Sequence, residues 1–553
     1  MNGCLKMNVF LFGSKSLSVQ VLEELHSANF KIKGVLTRDH ETGMKIWHND
    51  LNHQSLKNAA TNLGLPVFEK ISINSVEFQK IFSKMEIDIA IGVFWGEIIK
   101  ENILNLSKLG FFNIHTALLP RDKGSFPMAW PIINGEEYAG ITFHKMASGV
   151  DDGPIVGQKR VIIDEKDTGA TLYSKVTSAG IELFRELLPY IRDSTFSLKP
   201  QDTSKATYHP RGYPYGGFLD PLWSKEKKER FKRALEFQPF DSHKEEPSKT
   251  INKKSKPSVR AMIGFDCDRP RGSFISSEKG SKMAERKINS IENINTLLEK
   301  LSIPRTYFLC GQFVESMANK YGADRIQKAF NPISKLVELC DHSYSHKIMK
   351  KIETRPDKIP IDHSLVKEEF EINTELFQNI FPTVNIEKRG FRTPLGHKGG
   401  LKGEFKLLDV LKRLEIKYVS SDLRDANNSL HPKLITEDGK IRQPYRYENG
   451  LLEIPSIGWQ DTAFSGTSST KLFESPPKTF DEIIEYFGQL FNEGKNLSEK
   501  IDRDIFVGLV LHPYDLSFYD KENLFFEKLK EQLEKSGGTF HTYGEVSAYY
   551  HNN

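Results

Sequence analysis

The chain has 553 residues, and 77 Lys+Arg against 73 Asp+Glu leave a formal net charge of +4. Hydrophobic content of 38% beside 27% charged residues excludes wholesale disorder, and the length predicts several compact units rather than one. So even a charge balance does not point to nucleic acid, and the longest apolar runs, IDIAIGVF and IFVGLVL, fall far short of the ~20 residues a membrane helix needs.

From the N-terminus, MNGCLKMNVFLFG lacks the charged, apolar and small-residue succession of an export signal. Four scattered cysteines, Cys4, Cys267, Cys310 and Cys340, do not make a disulfide framework. The expected setting is reducing and cytoplasmic. Residues 7–110 alternate apolar runs with helical periodicity: MNVFLFG, SKSLSVQVLEELHSANF, KIKGVLT, HQSLKNAATNLGL and IDIAIGVF. Such alternation predicts an α/β unit with a parallel sheet. The turn FGSKS is not GxGxxG, so the dinucleotide fingerprint is missing. Polar composition begins near Leu198, and DSHKEEPSKTINKKSKPS (241–258) reads as a solvated linker. After it VRAMIGFDCD opens a second α/β run that continues to the C-terminus.

A first candidate centre lies in FFNIHTALLPRDKGSFPMAW and the following residues. Asn113 and His115 are two apart and so share one face of a strand, at the carboxyl end where α/β sheets bind ligands. An amide steadies an oxyanion and an imidazole handles a proton, a pairing suited to acyl transfer. Asp151 of the Asp-Asp-Gly-Pro turn supplies a carboxylate to orient the imidazole. Taken alone, the Asn-x-His pair is more readily incidental, and Asp151 could simply be a turn residue. The longer order is more specific: Asn113, His115, Leu118-Leu119-Pro120, Gly124, Pro127, Trp130, Asn134-Gly135-Glu136 and Val150-Asp151-Asp152-Gly153. Over about 7–190 this resembles the formyltransferases that use 10-formyltetrahydrofolate, with RDKG (121–124) where Tyr-Arg-Gly is commoner. The resemblance implies that Asn113, His115 and Asp151 carry the transfer. It also places the pterin near GVFWGEII, where Phe94 and Trp95 would wall its pocket or simply pack in the core. The short tail, with Arg233-Ala234, is similar to that of the sugar-type enzymes.

The second candidate centre gathers Asp266 and Asp268 of GFDCD with His342 and His346 of DHSYSH. On a helical turn the two imidazoles, four apart, would point the same way. One carboxylate and two imidazoles make a three-ligand set for a divalent metal, while a His-x3-His pair by itself is more often surface or capping. Asp341 could be a helix cap, and alternation turns Cys267 into the core. RGFRTPLG (389–396) and LVLHP (509–513) follow in order, and the set over about 259–520 resembles the NodB-type polysaccharide deacetylases. That resemblance implies Asp266 as base and Asp268, His342 and His346 as ligands to a divalent metal, zinc being expected. It further implies Arg392 orienting Asp266 and His512 protonating the departing amine. Trp459 and Asp461 of WQDTAF would line the cleft or pack at a strand end.

Together the two resemblances imply an α/β protein with four segments. A Rossmann-like formyltransferase domain (7–197) is followed by its C-terminal tail (198–240), a linker (241–258), and a distorted (β/α) barrel of the NodB type (259–553). The expected function is bifunctional: formylation of a nucleotide- or lipid-linked amino sugar, and hydrolysis of an N-acyl group on a sugar. The resemblance to sugar formyltransferases implies a homodimer, and no nucleic-acid partner is expected. The alternative is a tRNA-directed formyltransferase fused to a degenerate deacetylase-like module.

Overall fold

A computed structural model describes residues 7–38, 54–237, 242–246, 248–252, 255–353, 355–384, 389–424, 433–436, 438–458, 460–466, 477–520 and 522–551. Two compact units divide the chain, Met1–Lys244 and Glu245–Asn553.

The first unit is built on β1 (Asn8–Gly13), β2 (Lys31–Thr37), β3 (Val67–Phe68), β4 (Ile89–Val93), β5 (Gly110–His115), β7 (Tyr138–Lys145) and β8 (Ile155–Ile162). They form one sheet in the order β3-β2-β1-β4-β5-β7-β8. Pairings are parallel from β3 to β5 and antiparallel from β5 to β8. Continuous apolar sequence suits strands covered on both faces. Alternation in β1 sends Val9 and Leu11 to one cluster, with Leu17, Leu22 and Val176 of the helices Ser16–Ser27 and Gly169–Arg192. It sends Phe10 and Phe12 to another, where Phe10 meets Phe78 and Phe82 edge-on at centroid distances of 5.7 and 5.2 Å. Each such side chain contributes roughly 1.5–3 kcal/mol of burial. The strand order reverses between β1 and β4, which opens a crevice at the carboxyl end of the sheet.

Two short strands, β6 (Lys123–Gly124) and β9 (Tyr208–His209), pair in parallel and tie the tail to the loop after β5. The tail helix Lys225–Ala234 returns to the helix Ala129–Asn134, with Arg230 Nε donating to Ile133 O at 3.2 Å.

In the second unit, β10 (Val259–Cys267), β11 (Arg305–Leu309), β12 (Val337–Asp341), β13 (Phe391–Lys398) and β14 (Tyr418–Arg424) run parallel. β15 (Tyr445–Arg446) and β16 (Leu452–Glu453) follow β14, while β17 (Ile505–Leu511) and β18 (Thr539–His541) pair with β10. The sheet curls back on itself. Ile454 N donates to Val419 O of β14, and three residues on Ile457 N donates to Gly508 O of β17. Alternation along β10 therefore has an inside and an outside. Met262 lies inside with Phe308, Cys340, Tyr418 and Tyr543, whereas Ala261, Ile263, Phe265 and Cys267 pack outward among the helices. The stretch read as linker is partly docked here: Ile251 N and Ser258 N both donate to the Asp504 carboxylate, at 2.6 and 2.8 Å.

No helix among the described residues is long and apolar enough to cross a membrane.

Candidate active sites

Asn113 and His115 end β5, each 8% exposed. The antiparallel register places Asn113 opposite His144 of β7, so their side chains share a face, Nδ2 to Nε2 at 3.4 Å. His115 stands between two oxygen acceptors. Its Nε2 meets Asp122 O at 2.9 Å, and its Nδ1 lies 3.6 Å from Asp151 Oδ2. Asp151 Oδ1 is 3.6 Å from His144 Nε2. Asn113, His115 and Asp151 thus converge, and His144 completes a four-residue cluster.

The loops hold Asp151 closely. Its backbone is left-handed at φ 52°, Gly124 N donates to Oδ2 at 3.0 Å, and Gln201 Nε2 donates to the carbonyls of Asp151 and Gly153, both at 2.7 Å. Burial works against ionisation of the Asp151 carboxyl. His115, His144 and the Gly124 N–H outweigh it and hold the group well below the usual carboxylate range. The Oδ1 of Asn113 is buried with no partner among the described residues, an acceptor open to a donor on a bound ligand.

Phe94 and Trp95 leave β4 toward different apolar clusters. Phe94 meets Tyr173 at 5.8 Å and lies under Lys15 Nζ at 4.8 Å. Trp95 packs edge-on against Phe12 at 5.6 Å, with the Arg38 guanidinium 5.8 Å from its ring.

In the second unit, Asp266 occupies the carboxyl end of β10 and points inward. Arg392 of β13 donates from Nη1 to Asp266 Oδ1 at 2.8 Å and from Nη2 to Ser456 Oγ at 3.1 Å. Its guanidinium sits 3.9 Å from the Phe308 ring centroid and 4.9 Å from that of Tyr543. Gly264 makes the room, because a Cβ there would lie 2.7 Å from the guanidinium nitrogens.

His342 and His346 come together with ring centroids 4.9 Å apart, but not on the helical turn expected from their spacing. The segment is irregular, with left-handed backbone at Ser343 (φ 58°) and His346 (φ 57°). Glu369 holds it by accepting from Ser345 N at 2.8 Å and Ser345 Oγ at 2.5 Å. Asp341 ends β12 and caps no helix: it is buried with Arg389 Nε at 3.0 Å and Asn373 Nδ2 at 2.6 Å.

The donors suit a divalent cation. His342 Nδ1 is anchored on Arg392 O at 2.9 Å, which leaves Nε2 to face a ligand. His346 Nε2 lies 3.3 Å from Asp268 Oδ2. Burial lowers the pKa of both imidazoles, His346 to about 3, which favours the neutral form that binds metal. The tightest trio of possible metal-ligating groups among the described residues is nevertheless another one, Asp461, His512 and Asp515, with ligand atoms all within 4.8 Å of one another. There His512 Nδ1 is 3.2 Å from Asp461 Oδ2, and His512 N donates to the same oxygen. Burial disfavours the charged ring, but the Asp461 carboxylate prevails and raises the His512 pKa to about 9. Trp459, read with Asp461 as a cleft residue, lies outside the described residues.

The formyl transferase family model matches residues 5–188. Methionyl-tRNA formyltransferase of Agathobacter rectalis is 30% identical over 219 residues, which cover 40% of this chain and 69% of that protein. The chain belongs to the formyl transferase family. Bifunctional polymyxin resistance protein ArnA of Wigglesworthia glossinidia brevipalpis is 33% identical over 216 residues, 39% of this chain. The chain spans about a third (32%) of the length of that relative. A solved N-formyltransferase from Helicobacter canadensis aligns at 22% identity over 48% of this chain and 92% of its own, with a TM-score of 0.36.

In the formyl transferase unit, sequence reading missed His144 and Gln201. His144 carried a signal, since it can face Asn113 once strands β5 and β7 are paired, but the register needed for that is not local. Gln201 had none. In the second unit the missed residues are Glu369, which braces the His346 loop, and Lys287. That lysine is 2% exposed, with Nζ 3.5 Å from Asp266 O.

Proposed function

We propose that the first unit transfers a formyl group from 10-formyltetrahydrofolate to the amine of a nucleotide-linked amino sugar. The observation that carries this reading is the convergence of Asn113, His115 and Asp151 at the end of β5 in a chain of the formyl transferase family. The amine nitrogen attacks the formyl carbon, and Asn113 Nδ2 donates to the oxyanion that forms, with His115 beside it held between Asp122 O and Asp151. Asp151 keeps the imidazole oriented. Collapse breaks the bond to the folate nitrogen, which gains a proton as the amine loses one. Phe94 and Trp95 border the folate site. A sugar acceptor is supported by the tail, which folds back on the catalytic domain through β9 and the helix Lys225–Ala234 rather than extending as a separate nucleic-acid module.

The second unit, on the same reading, hydrolyses an N-acyl group on a sugar inside a distorted barrel of the NodB deacetylase type. The Arg392–Asp266 pair, buried and 2.8 Å apart, favours it. A divalent cation held by Asp268, His342 and His346, zinc by the character of its donors, would activate water and polarise the amide when bound. Asp266, oriented by Arg392, takes the proton of the attacking water. His512, kept charged by Asp461, delivers one to the leaving amine. Folate and sugar nucleotides place both steps in the cytoplasm, and a homodimer is the assembly we propose.

The deciding experiment incubates the protein with 10-formyltetrahydrofolate and a panel of nucleotide-linked amino sugars and follows mass. Gain of one formyl group on a sugar is expected. Formylation of methionyl-tRNA instead, with salt-sensitive binding of RNA, would replace this reading with a tRNA-directed one.

A further inference from the structure

The loop Arg121–Gly124 touches both ends of the first catalytic centre. Asp122 accepts at its carbonyl from His115 Nε2, at 2.9 Å, while Gly124 donates its N–H to Asp151 Oδ2 at 3.0 Å. What fixes this loop comes from the tail. Asp122 N donates to Thr207 Oγ1 at 2.8 Å, and Asp122 Oδ1 lies 2.8 Å from His209 Nε2. The His209 ring is stacked flat on Trp130, with centroids 4.0 Å apart and planes 7° apart. Both members of the pair are buried, Asp122 at 3% and His209 at 8% exposure. Asp122 is also held in left-handed backbone at φ 54°, a conformation that persists in a non-glycine residue where its surroundings enforce it.

Deepening the formyl-transfer reading, on which this rests, we propose that His209 is a positioning residue for His115. By gripping the Asp122 carboxylate it sets the plane of the following peptide, and so aims the Asp122 carbonyl at Nε2. His115 Nδ1 is then left facing Asp151. The stack on Trp130 prevents the His209 ring from turning away. The tail thereby controls the geometry of the catalytic imidazole without touching the reacting atoms.

The test is His209→Phe, which keeps a ring for Trp130 and deletes the nitrogen. Expected are a fall in kcat of roughly 10–100-fold with the folate KM little changed, a displaced pH profile of kcat, and altered 15N ring signals of His115 in the resting protein. Asp122→Ala should do the same, and Asp122→Asn, whose amide oxygen accepts the same bond, should recover most of the loss. The double variant His209→Phe/Asp122→Ala should be no worse than either single one. Unmoved His115 signals and pH profile in folded His209→Phe, or additive effects in the double variant, overturn the proposal. If His209→Phe does not fold, Asp122→Ala against Asp122→Asn makes the same comparison. Should the wild-type protein transfer no formyl group while the His115 signals still respond, the transfer reading fails and the positioning role stands.

Discussion

At the residue scale, Asn113 and His512 make the sharpest claims. Asn113 Nδ2 contacts His144 and its Oδ1 is unpartnered among the described residues, so Asn113→Ala removes the proposed oxyanion donor together with the His144 contact. We expect kcat for formyl transfer to fall by ~10²–10³, with binding of a non-reactive folate analogue retained in calorimetry. Unchanged turnover would remove Asn113 from the mechanism. His512 gives a pH dependence. Its folded pKa of about 9 exceeds the ordinary imidazole value of 6.5, so the Asp461–His512 pair favours folding fully below about pH 6.5 and loses this contribution as pH rises through about 9. Asp461→Asn should therefore flatten urea stability measured between about pH 6 and about pH 10. An equal pH slope in the variant would assign it to other groups.

At the scale of elements, the two-residue pairing of β6 with β9 matters more than its length suggests. Gly124 lies at φ 92°, and an added Cβ would fall 2.2 Å from His209 O. Gly124→Ala should then part the two strands, costing roughly 1–3 kcal/mol and moving the N–H that Asp151 uses. A drop in formyl transfer together with a lowered thermal midpoint is the expected outcome; a stable variant with full activity would show that the strand pair is not needed. The loop after β12 makes a related point. The two histidines meet without a helix because Glu369 binds Ser345 and because two residues adopt left-handed backbone.

For the whole molecule, each unit has its own apolar cores, with no residue shared among the described residues between those of the first and those of the second. Chelation of divalent metal should abolish amide hydrolysis and leave formyl transfer intact, measured in one preparation with both substrates. Loss of both activities together would mean that the transfer centre also depends on metal. Residues 1–244, expressed alone, should retain formyl transfer, because the residues that converge on Asp151 all precede Lys244.

By itself the sequence determined what depends on near neighbours and on periodicity. The βα alternation over 7–110, the shared face of Asn113 and His115, and the turning of Cys267 into an apolar core follow from spacings of two or three to four residues. Residue order also identified the formyl transferase family. Only the tertiary structure decided which distant groups meet: His144 opposite Asn113 through strand register, Asp461 beside His512 across 51 residues, and His209 gripping Asp122 across 87. Such contacts depend on strand order and loop closure, which no local pattern encodes. Side chains from separate elements acquire their roles only when the sheet brings them within bonding distance.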